Sequence, residues 1–282
     1  MKLYKTLKGN MLLHDNGFYF LNGDWDLLIN RQNLFEHLAD QINSSNKLTE
    51  FEFTKFLQHS LQAPISKQEV WAAGVTYLRS RDARMEESKE SGGADFYDKV
   101  YAAERPELFF KALPHRVAAH NEEVYIRKDS TWNVPEPELT LFINSFGEIQ
   151  AYTVGNDMSS RSIEGENPLY LPQAKVYERS AALGPCLYIP QQPISSETLI
   201  SITITRQQQE MFSDAIQINR IKRALPELAA YLYRECDFEH GCFLMTGTGM
   251  VPANDFTLLP GDKVSITIEN IGTLCNTVSV RK

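Results

Sequence analysis

The stretch that decides the fold is VPEPELTLFINSFGEIQAYTVGND, residues 134–157. Apolar residues alternate with other residues over positions 139–143, which is typical of a β-strand with a buried face. Residues 145–147 have turn character, and a second strand is predicted over residues 149–154. The pattern predicts a β-hairpin.

Acidic residues stand at both ends of this hairpin. Pro135 and Pro137 fix their own φ angles and bias the residues before them toward extended conformations. In an extended chain Glu136 and Glu138 face the same side and repel each other unless a cation or protons relieve them. Antiparallel pairing would return Asp157 to the same point. The three carboxylates predict a Mg²⁺ or Mn²⁺ site, with a solvated acidic rim as the alternative.

The composition of the chain limits the classes of function. Its 282 residues, 43% of them hydrophobic, allow one large domain or a small and a large one. The net charge of −8, without a basic run, argues against nucleic acid or an anionic membrane as partner. Neither a signal-peptide stretch nor an apolar segment of membrane-spanning length is visible, so we expect a cytoplasmic protein.

Two regions with different residue patterns suggest two domains. Residues 1–65 combine short strands around the turn dipeptides Asn16-Gly17 and Asn22-Gly23 with a helical pattern, which predicts a small α+β domain. A plausible linker over residues 61–67 follows. The apolar face of the predicted helix consists of Leu34, Phe35, Leu38 and Ile42.

Residues 66–282 are predicted to form the second, strand-rich domain, so that the whole chain falls in the α+β class and is rich in β-structure. A helix is expected to begin at Pro226, because proline suits the first helical position. Its core-facing residues would be Leu228, Ala229 and Leu232.

Other polar residues are candidates for chemistry. Lys175 could supply a base or a cation, although a lone lysine is usually solvated. The turn Thr246-Gly247-Thr248-Gly249 could receive a carboxylate on its hydroxyls and amides, and Thr248 is a substrate-binding candidate, although the same letters form ordinary turns. Residues 81–93 are interpreted as a mobile lid, with an exposed helix as the alternative. The remaining substrate-binding candidates are Ser80, Arg79, Arg81 and Arg161. For the three arginines, the alternative is an ordinary surface position.

Several short segments follow one another in a specific order along the chain: Gly74-Val75-Thr76-Tyr77, Pro135-Glu136-Pro137-Glu138, Gly155-Asn156-Asp157, Lys175, Thr246-Gly247-Thr248 and Ile271-Gly272-Thr273-Leu274-Cys275-Asn276. With this ordered set, the chain resembles the fumarylacetoacetate hydrolase family over roughly residues 70–282. The resemblance implies a β-rich mixed fold, Mg²⁺ bound by Glu136, Glu138 and Asp157, a lysine of the site at Lys175, and a homodimer or homotetramer.

Within this family, residues 74–81 and 162–170 look most like the branch that dehydrates 2-dehydro-3-deoxy-D-arabinonate to 2,5-dioxopentanoate. Where the hydrolases carry GxNYxxH, this chain has Thr76 for the asparagine and Ser80 for the histidine. That histidine activates water for C–C cleavage, so its loss argues against hydrolysis. The resemblance implies a mechanism in which Mg²⁺ chelates the 2-oxo acid and Lys175 removes a C3 proton.

Two other functions stay open at this point. The first is a hydrolase, decarboxylase or isomerase of acylpyruvate-type substrates that uses the same metal. The second is a non-catalytic protein that binds 2-oxo acids, against which the retained Lys175 argues modestly.

Overall fold

The computed structural model of the chain describes residues 1–87 and 94–282. Strands dominate, and the expected β-rich α+β class is confirmed. The helices are α1 (Trp25–Ile29), α2 (Leu34–Ile42), α3 (Glu50–Ser60), α4 (Leu78–Glu87), α5 (Ala94–Ala102), α6 (Arg161–Glu166), α7 (Leu171–Lys175) and α8 (Leu225–Leu232).

The strands follow one another along the chain as β1 (Lys2–Thr6), β2 (Gly9–His14), β3 (Gly17–Leu21), β4 (Asn46–Leu48), β5 (Glu69–Gly74), β6 (Glu107–Ala112), β7 (Val117–Ala118), β8 (Glu123–Ile126), β9 (Asn133–Val134), β10 (Pro137–Ile143), β11 (Ile149–Asp157), β12 (Ser159–Ser160), β13 (Ala181–Tyr188), β14 (Leu199–Arg206), β15 (Gln209–Gln217), β16 (Cys242–Met245), β17 (Lys263–Ile268) and β18 (Gly272–Val280).

Two larger sheets organise these strands. The first has the order β4-β3-β2-β1-β13-β11-β10-β16-β5-β6, and β7 pairs with β13 off this path. The second has the order β15-β14-β17-β18-β8. Most neighbours are antiparallel, and the parallel pairs are β16 with β5, β18 with β8 and β13 with β7. Strands β10 and β11 therefore lie near the middle of the larger sheet, where neighbours hold them on both edges.

The β10–β11 hairpin is confirmed. Its register places Glu138 opposite Gly155, and the turn is closed by the amide of Asn144, which donates to the carbonyl of Glu148 at 2.9 Å. The second strand runs three residues beyond its predicted end, as far as Asp157. It does so because pairing with β13 continues to that residue.

Strand β10 is buried along its whole length. Leu139, Leu141 and Ile143 belong to the hydrophobic core shared with the second sheet, and Phe142 belongs to a second core on the opposite face. The ring centroid of Phe142 lies 5.3 Å from that of Phe243. Packing on both faces fixes this strand firmly.

The N-terminal region contains the expected hairpin and helix. Asp15 and Asn16 have φ angles of 45° and 61°, as a tight two-residue hairpin turn requires. Strand β1 pairs with β13, so the larger sheet continues through the predicted boundary after residue 65. The division into domains 1–65 and 66–282 stays a prediction. Helix α8 begins at Leu225, one residue before the expected start, and buries its three predicted core residues.

Among the residues described, none of the helices combines the length and the apolar composition that crossing a membrane would require.

The central position of β10 generates a stability prediction. Leu141→Ala should lower the free energy of unfolding by about 2–5 kcal/mol, because Leu141 is fully buried and its truncation leaves a cavity. Phe146→Ala is the matched control, because that side chain is 66% exposed in the turn of the same hairpin. It should change stability by less than about 0.5 kcal/mol. Urea unfolding measures both, and equal losses would contradict the burial of β10.

Candidate metal centre

Three buried carboxylates meet where the two ends of the hairpin come together. Glu136 precedes β10, Glu138 lies in β10 and Asp157 ends β11. One carboxylate oxygen from each lies within 4.8 Å of the others, and the three residues are at most 4% exposed. The amide of Asp157 donates to the carbonyl of Glu136 at 3.0 Å, which closes the hairpin at this point. An all-oxygen cluster of this kind suits a hard divalent cation.

Lys175 and Arg161 bring positive charge to the triad. The ammonium of Lys175, at the end of α7, donates to Glu136 Oε2 at 2.8 Å, to Asp157 Oδ2 at 3.0 Å and to Ser159 Oγ at 2.6 Å. Arg161 Nη2 donates to Glu136 Oε1 at 2.7 Å. Both cationic side chains are buried, so these interactions are poorly screened by water.

Arg84 is a second guanidinium at the site, and the sequence reasoning missed it. Its Nη2 donates to Glu136 Oε1 at 3.1 Å, and its Nη1 forms an ion pair with Glu164 of α6. A usable signal existed in the chain, because Arg84 lies one helical turn after Ser80 on α4. Ser80, which was predicted, and Arg84 line the same cavity.

Lys111 is a second lysine at the site, and the sequence reasoning missed it. Its fully buried Nζ lies 2.5 Å from Asp157 Oδ1 and donates to the carbonyls of Met158 at 3.0 Å and Lys175 at 2.5 Å. The signal was a lysine inside the apolar strand β6, where a charge is costly unless it is paired.

The predicted Thr-Gly-Thr turn contacts the triad directly. The amide of Gly247 donates to Glu138 Oε2 at 2.5 Å. Gly247 has φ 89°, and a Cβ atom there would overlap Thr76 Oγ1, so the turn needs glycine. The Thr76 hydroxyl in turn donates to the carbonyl of Thr246 at 2.6 Å. This amide therefore holds a carboxylate of the protein.

Burial and neighbouring charges shift the acidity of the carboxyl groups in opposite directions. Burial opposes ionisation of Glu136, but Lys175, Arg161 and Arg84 outweigh it and hold the pKa of this carboxyl well below its usual range. Burial, together with Asp157 and Glu136, raises the pKa of Glu138 well above its usual value. Glu138 thus has a greater need for a cation than Glu136 does.

Glu107, at the start of β6, is a further carboxyl group on the cavity wall. Burial raises its pKa, and the cation Arg84 partly offsets that effect. A Cβ atom on Gly74 would overlap the Glu107 carboxylate, so glycine at position 74 makes room for it. Neither residue was among the predicted site residues.

The cavity beside the triad is small. It measures about 20 Å³, which is room for an ion or a water molecule. Val75 lines it with φ 53°, a strained conformation for a β-branched residue and one that is common at functional sites. Of the predicted substrate-binding residues, Ser80, Arg161 and Thr248 line this cavity.

The two other predicted arginines lie elsewhere. Arg79 is exposed, and Arg81 pairs with Asp82 at 2.7 Å and Asp98 at 3.5 Å. Neither lines the cavity. Of the predicted lid, residues 81–87 belong to helix α4, and residues 88–93 lie outside the described residues.

Comparison with known proteins gives consistent results. A family model described as fumarylacetoacetate (FAA) hydrolase C-terminal matches residues 70–279. The probable 2-keto-3-deoxyxylonate dehydratase of Haloferax volcanii is 47% identical over 225 residues, which cover 79% of this chain and 76% of that protein. The 2-dehydro-3-deoxy-D-arabinonate dehydratase of Saccharolobus solfataricus is 41% identical over 221 residues, which cover 78% and 74%.

Among solved structures, a 2-keto-3-deoxy-D-arabinonate dehydratase complexed with magnesium and 2,5-dioxopentanoate superposes with a TM-score of 0.83 at 32% identity, covering both chains completely. The match extends over three quarters of the sequence and the whole fold, and it confirms the resemblance seen in the sequence. The chain belongs to the fumarylacetoacetate hydrolase family.

Proposed function

We propose that this protein is a Mg²⁺-dependent hydro-lyase that converts 2-dehydro-3-deoxy-D-arabinonate to 2,5-dioxopentanoate and water. The observation that carries the proposal is the buried triad of Glu136, Glu138 and Asp157, with Lys175 and Glu107 on the wall of the same cavity. The names of the relatives, both dehydratases of five-carbon 2-keto-3-deoxy acids, support the substrate class.

The charge around the cavity favours an anionic substrate once a divalent cation is bound. Five carboxyl groups and four cationic side chains lie in or directly against it, all in the described part of the chain. A divalent cation adds two positive charges to this cluster. The added charge favours binding of an anionic 2-oxo acid, because buried charges need partners of opposite sign.

Glu136, Glu138 and Asp157 would hold the metal ion. When bound, Mg²⁺ supplies a Lewis acid that stabilises negative charge on the 2-oxo oxygen. Arg161 and Arg84 orient Glu136 through its Oε1 atom.

Lys175 is our candidate for the group that removes the C3 proton. Burial opposes its charge, but Asp157 and Glu136 outweigh burial and hold the pKa of this lysine above its usual value. Carboxylate oxygens that are committed to a metal ion stabilise an ammonium less, so metal binding favours release of its proton. If Lys175 stays charged, it acts instead as an electrostatic partner of the enolate.

Glu107 is the candidate acid for the departing C4 hydroxyl group. Its pKa is raised by burial, so it holds a proton at higher pH than a solvated glutamate does. Elimination of water requires a base for the C3 proton and an acid for the C4 hydroxyl group. It leaves 5-hydroxy-2-oxopent-3-enoate, and tautomerisation of this compound gives 2,5-dioxopentanoate.

The first test is product analysis on the chelator-stripped protein. With 2-dehydro-3-deoxy-D-arabinonate, mass spectrometry should show loss of one water when Mg²⁺ is added and no reaction without it. Asp157→Asn should abolish this activity, and Asp129→Asn, at an exposed site, should retain it. Cleavage of a C–C bond would favour the hydrolase alternative, and tight binding without turnover would favour a binding protein.

The role of Lys175 is tested by two substitutions. Lys175→Met should lower kcat by about 10²- to 10⁴-fold, because it removes the proton acceptor. Lys175→Arg keeps the charge but cannot act as a base, so a similar loss would support the base role. Recovery of activity in the arginine variant would assign an electrostatic role, and near-normal turnover of a folded methionine variant would remove Lys175 from the mechanism.

The role of Glu107 has a pH signature. A required acid must be protonated, so kcat should fall as pH rises through the raised pKa of Glu107. Glu107→Gln should lower kcat by about 10²-fold or more and remove this alkaline limb. Glu104→Gln, at a nearby exposed residue, is the control. An unchanged pH profile in Glu107→Gln would contradict the assignment.

A cytoplasmic location and a homodimer or homotetramer complete the proposal. Both follow from the sequence and its resemblance.

A further inference from the structure

We infer that the triad selects small octahedral cations over Ca²⁺, because each carboxylate already has one oxygen engaged by a donor of the protein. Lys111 is the positioning residue that does this for Asp157. The inference rests on the proposed metal site and adds the reason for its selectivity.

The three engaged oxygens belong to three different carboxylates. Asp157 Oδ1 faces the ammonium of Lys111 at 2.5 Å, and Glu138 Oε2 accepts from the amide of Gly247 at 2.5 Å. Glu136 Oε1 accepts from two guanidinium groups, at 2.7 Å and 3.1 Å. Apart from the contacts of Lys175, one oxygen of each carboxylate remains for a cation, namely Asp157 Oδ2, Glu138 Oε1 and Glu136 Oε2.

The position of Lys175 independently identifies two of the remaining oxygens. Its ammonium contacts Glu136 Oε2 and Asp157 Oδ2, the two atoms that the other donors leave open. A positive charge already lies on the side of the carboxylates where a metal ion would bind. Lys175 and the other donors therefore contact different oxygens of Glu136 and of Asp157.

The contacts of Lys111 suit it to hold the Asp157 carboxylate in one orientation. Its Nζ has three oxygen neighbours, Asp157 Oδ1 and the carbonyls of Met158 and Lys175. Its side chain is fully buried and does not line the cavity, so it acts from behind the site. Because Lys111 also donates to the Lys175 carbonyl, it connects Asp157, at the end of β11, with the end of α7.

The coordination preferences of Mg²⁺ and Ca²⁺ explain why this arrangement favours Mg²⁺. Mg²⁺ takes six ligands in a near-ideal octahedron and accepts single oxygens together with water. Ca²⁺ prefers six to eight oxygens, which proteins commonly supply through bidentate carboxylates. Three carboxylates that each offer one oxygen therefore suit Mg²⁺ better than Ca²⁺. Mn²⁺ also suits an octahedral oxygen site.

The test is calorimetric titration of the chelator-stripped, full-length protein with MgCl₂, MnCl₂ and CaCl₂. The wild-type protein should bind Mg²⁺ and Mn²⁺ more tightly than Ca²⁺. Lys111→Met should weaken Mg²⁺ binding by roughly 10- to 100-fold. It should weaken Ca²⁺ binding less, because Asp157 becomes free to offer both oxygens, so the preference for Mg²⁺ falls.

Two variants serve as controls. Lys111→Arg keeps a donor toward Asp157 Oδ1 and should retain more of the preference than Lys111→Met. Lys47→Met removes an exposed lysine far from the triad in sequence and should change neither affinity. Far-UV circular dichroism reports whether each variant is folded. If Lys111→Met is unfolded, the double variant Arg84→Met/Arg161→Met replaces it, because the two changes together free Glu136 Oε1 and should also reduce the preference.

The outcomes separate this inference from the proposed function. Equal or tighter binding of Ca²⁺ by the wild-type protein, or an unchanged preference in a folded Lys111→Met protein, overturns the selectivity role and leaves the metal site standing. Failure of the wild-type protein to bind any of the three ions overturns the proposed metal site itself.

Discussion

Three carboxylates buried at one point impose the constraint on which the rest of this site depends. Removing a charged group from water costs several kcal/mol, and like charges within 4.8 Å add their repulsion. The protein compensates with cations and one backbone amide that reach the triad from different elements. The compensation is incomplete at Glu138, whose raised pKa reflects burial beside two other carboxylates. A bound divalent cation would supply the compensating positive charge at Glu138.

The position of the hairpin gives the site its rigidity. Strand β10 is paired on both edges and packed on both faces, so the carboxylates at its start have little freedom to move apart. Strand β6, helices α4, α6 and α7, and the turn after β16 bring the compensating groups to it. A site built on such elements holds its geometry more accurately than one built on loops alone.

The same arrangement separates the roles that a dehydratase needs. Lys175 touches the triad, and Glu107 lies on the cavity wall with a pKa raised by burial. A base and an acid in different environments can act on neighbouring carbons of one substrate. The role that we infer for Lys111 and the other donors behind the carboxylates, setting which cation the site accepts, requires no contact with the substrate.

The sequence by itself determined the local part of this protein. The period-two pattern predicted the hairpin, and the two prolines placed Glu136 and Glu138 on one side. Antiparallel return of the chain predicted the approach of Asp157, which the register bears out. These features depend on residues close together in the chain, where backbone geometry leaves few choices.

Only the tertiary structure decided which cations reach the triad. Lys111 comes from β6 and Arg84 from α4, and no local rule connects either of them with Glu136 or Asp157. Helix geometry explains why Arg79 and Arg81 lie elsewhere: Ser80 and Arg84 share one face of α4, and the side chains directly before and after Ser80 point about 100° away from it. Long-range pairing and the orientation of a helix are settled by packing of the whole chain, which is why these partners appear only in the folded protein.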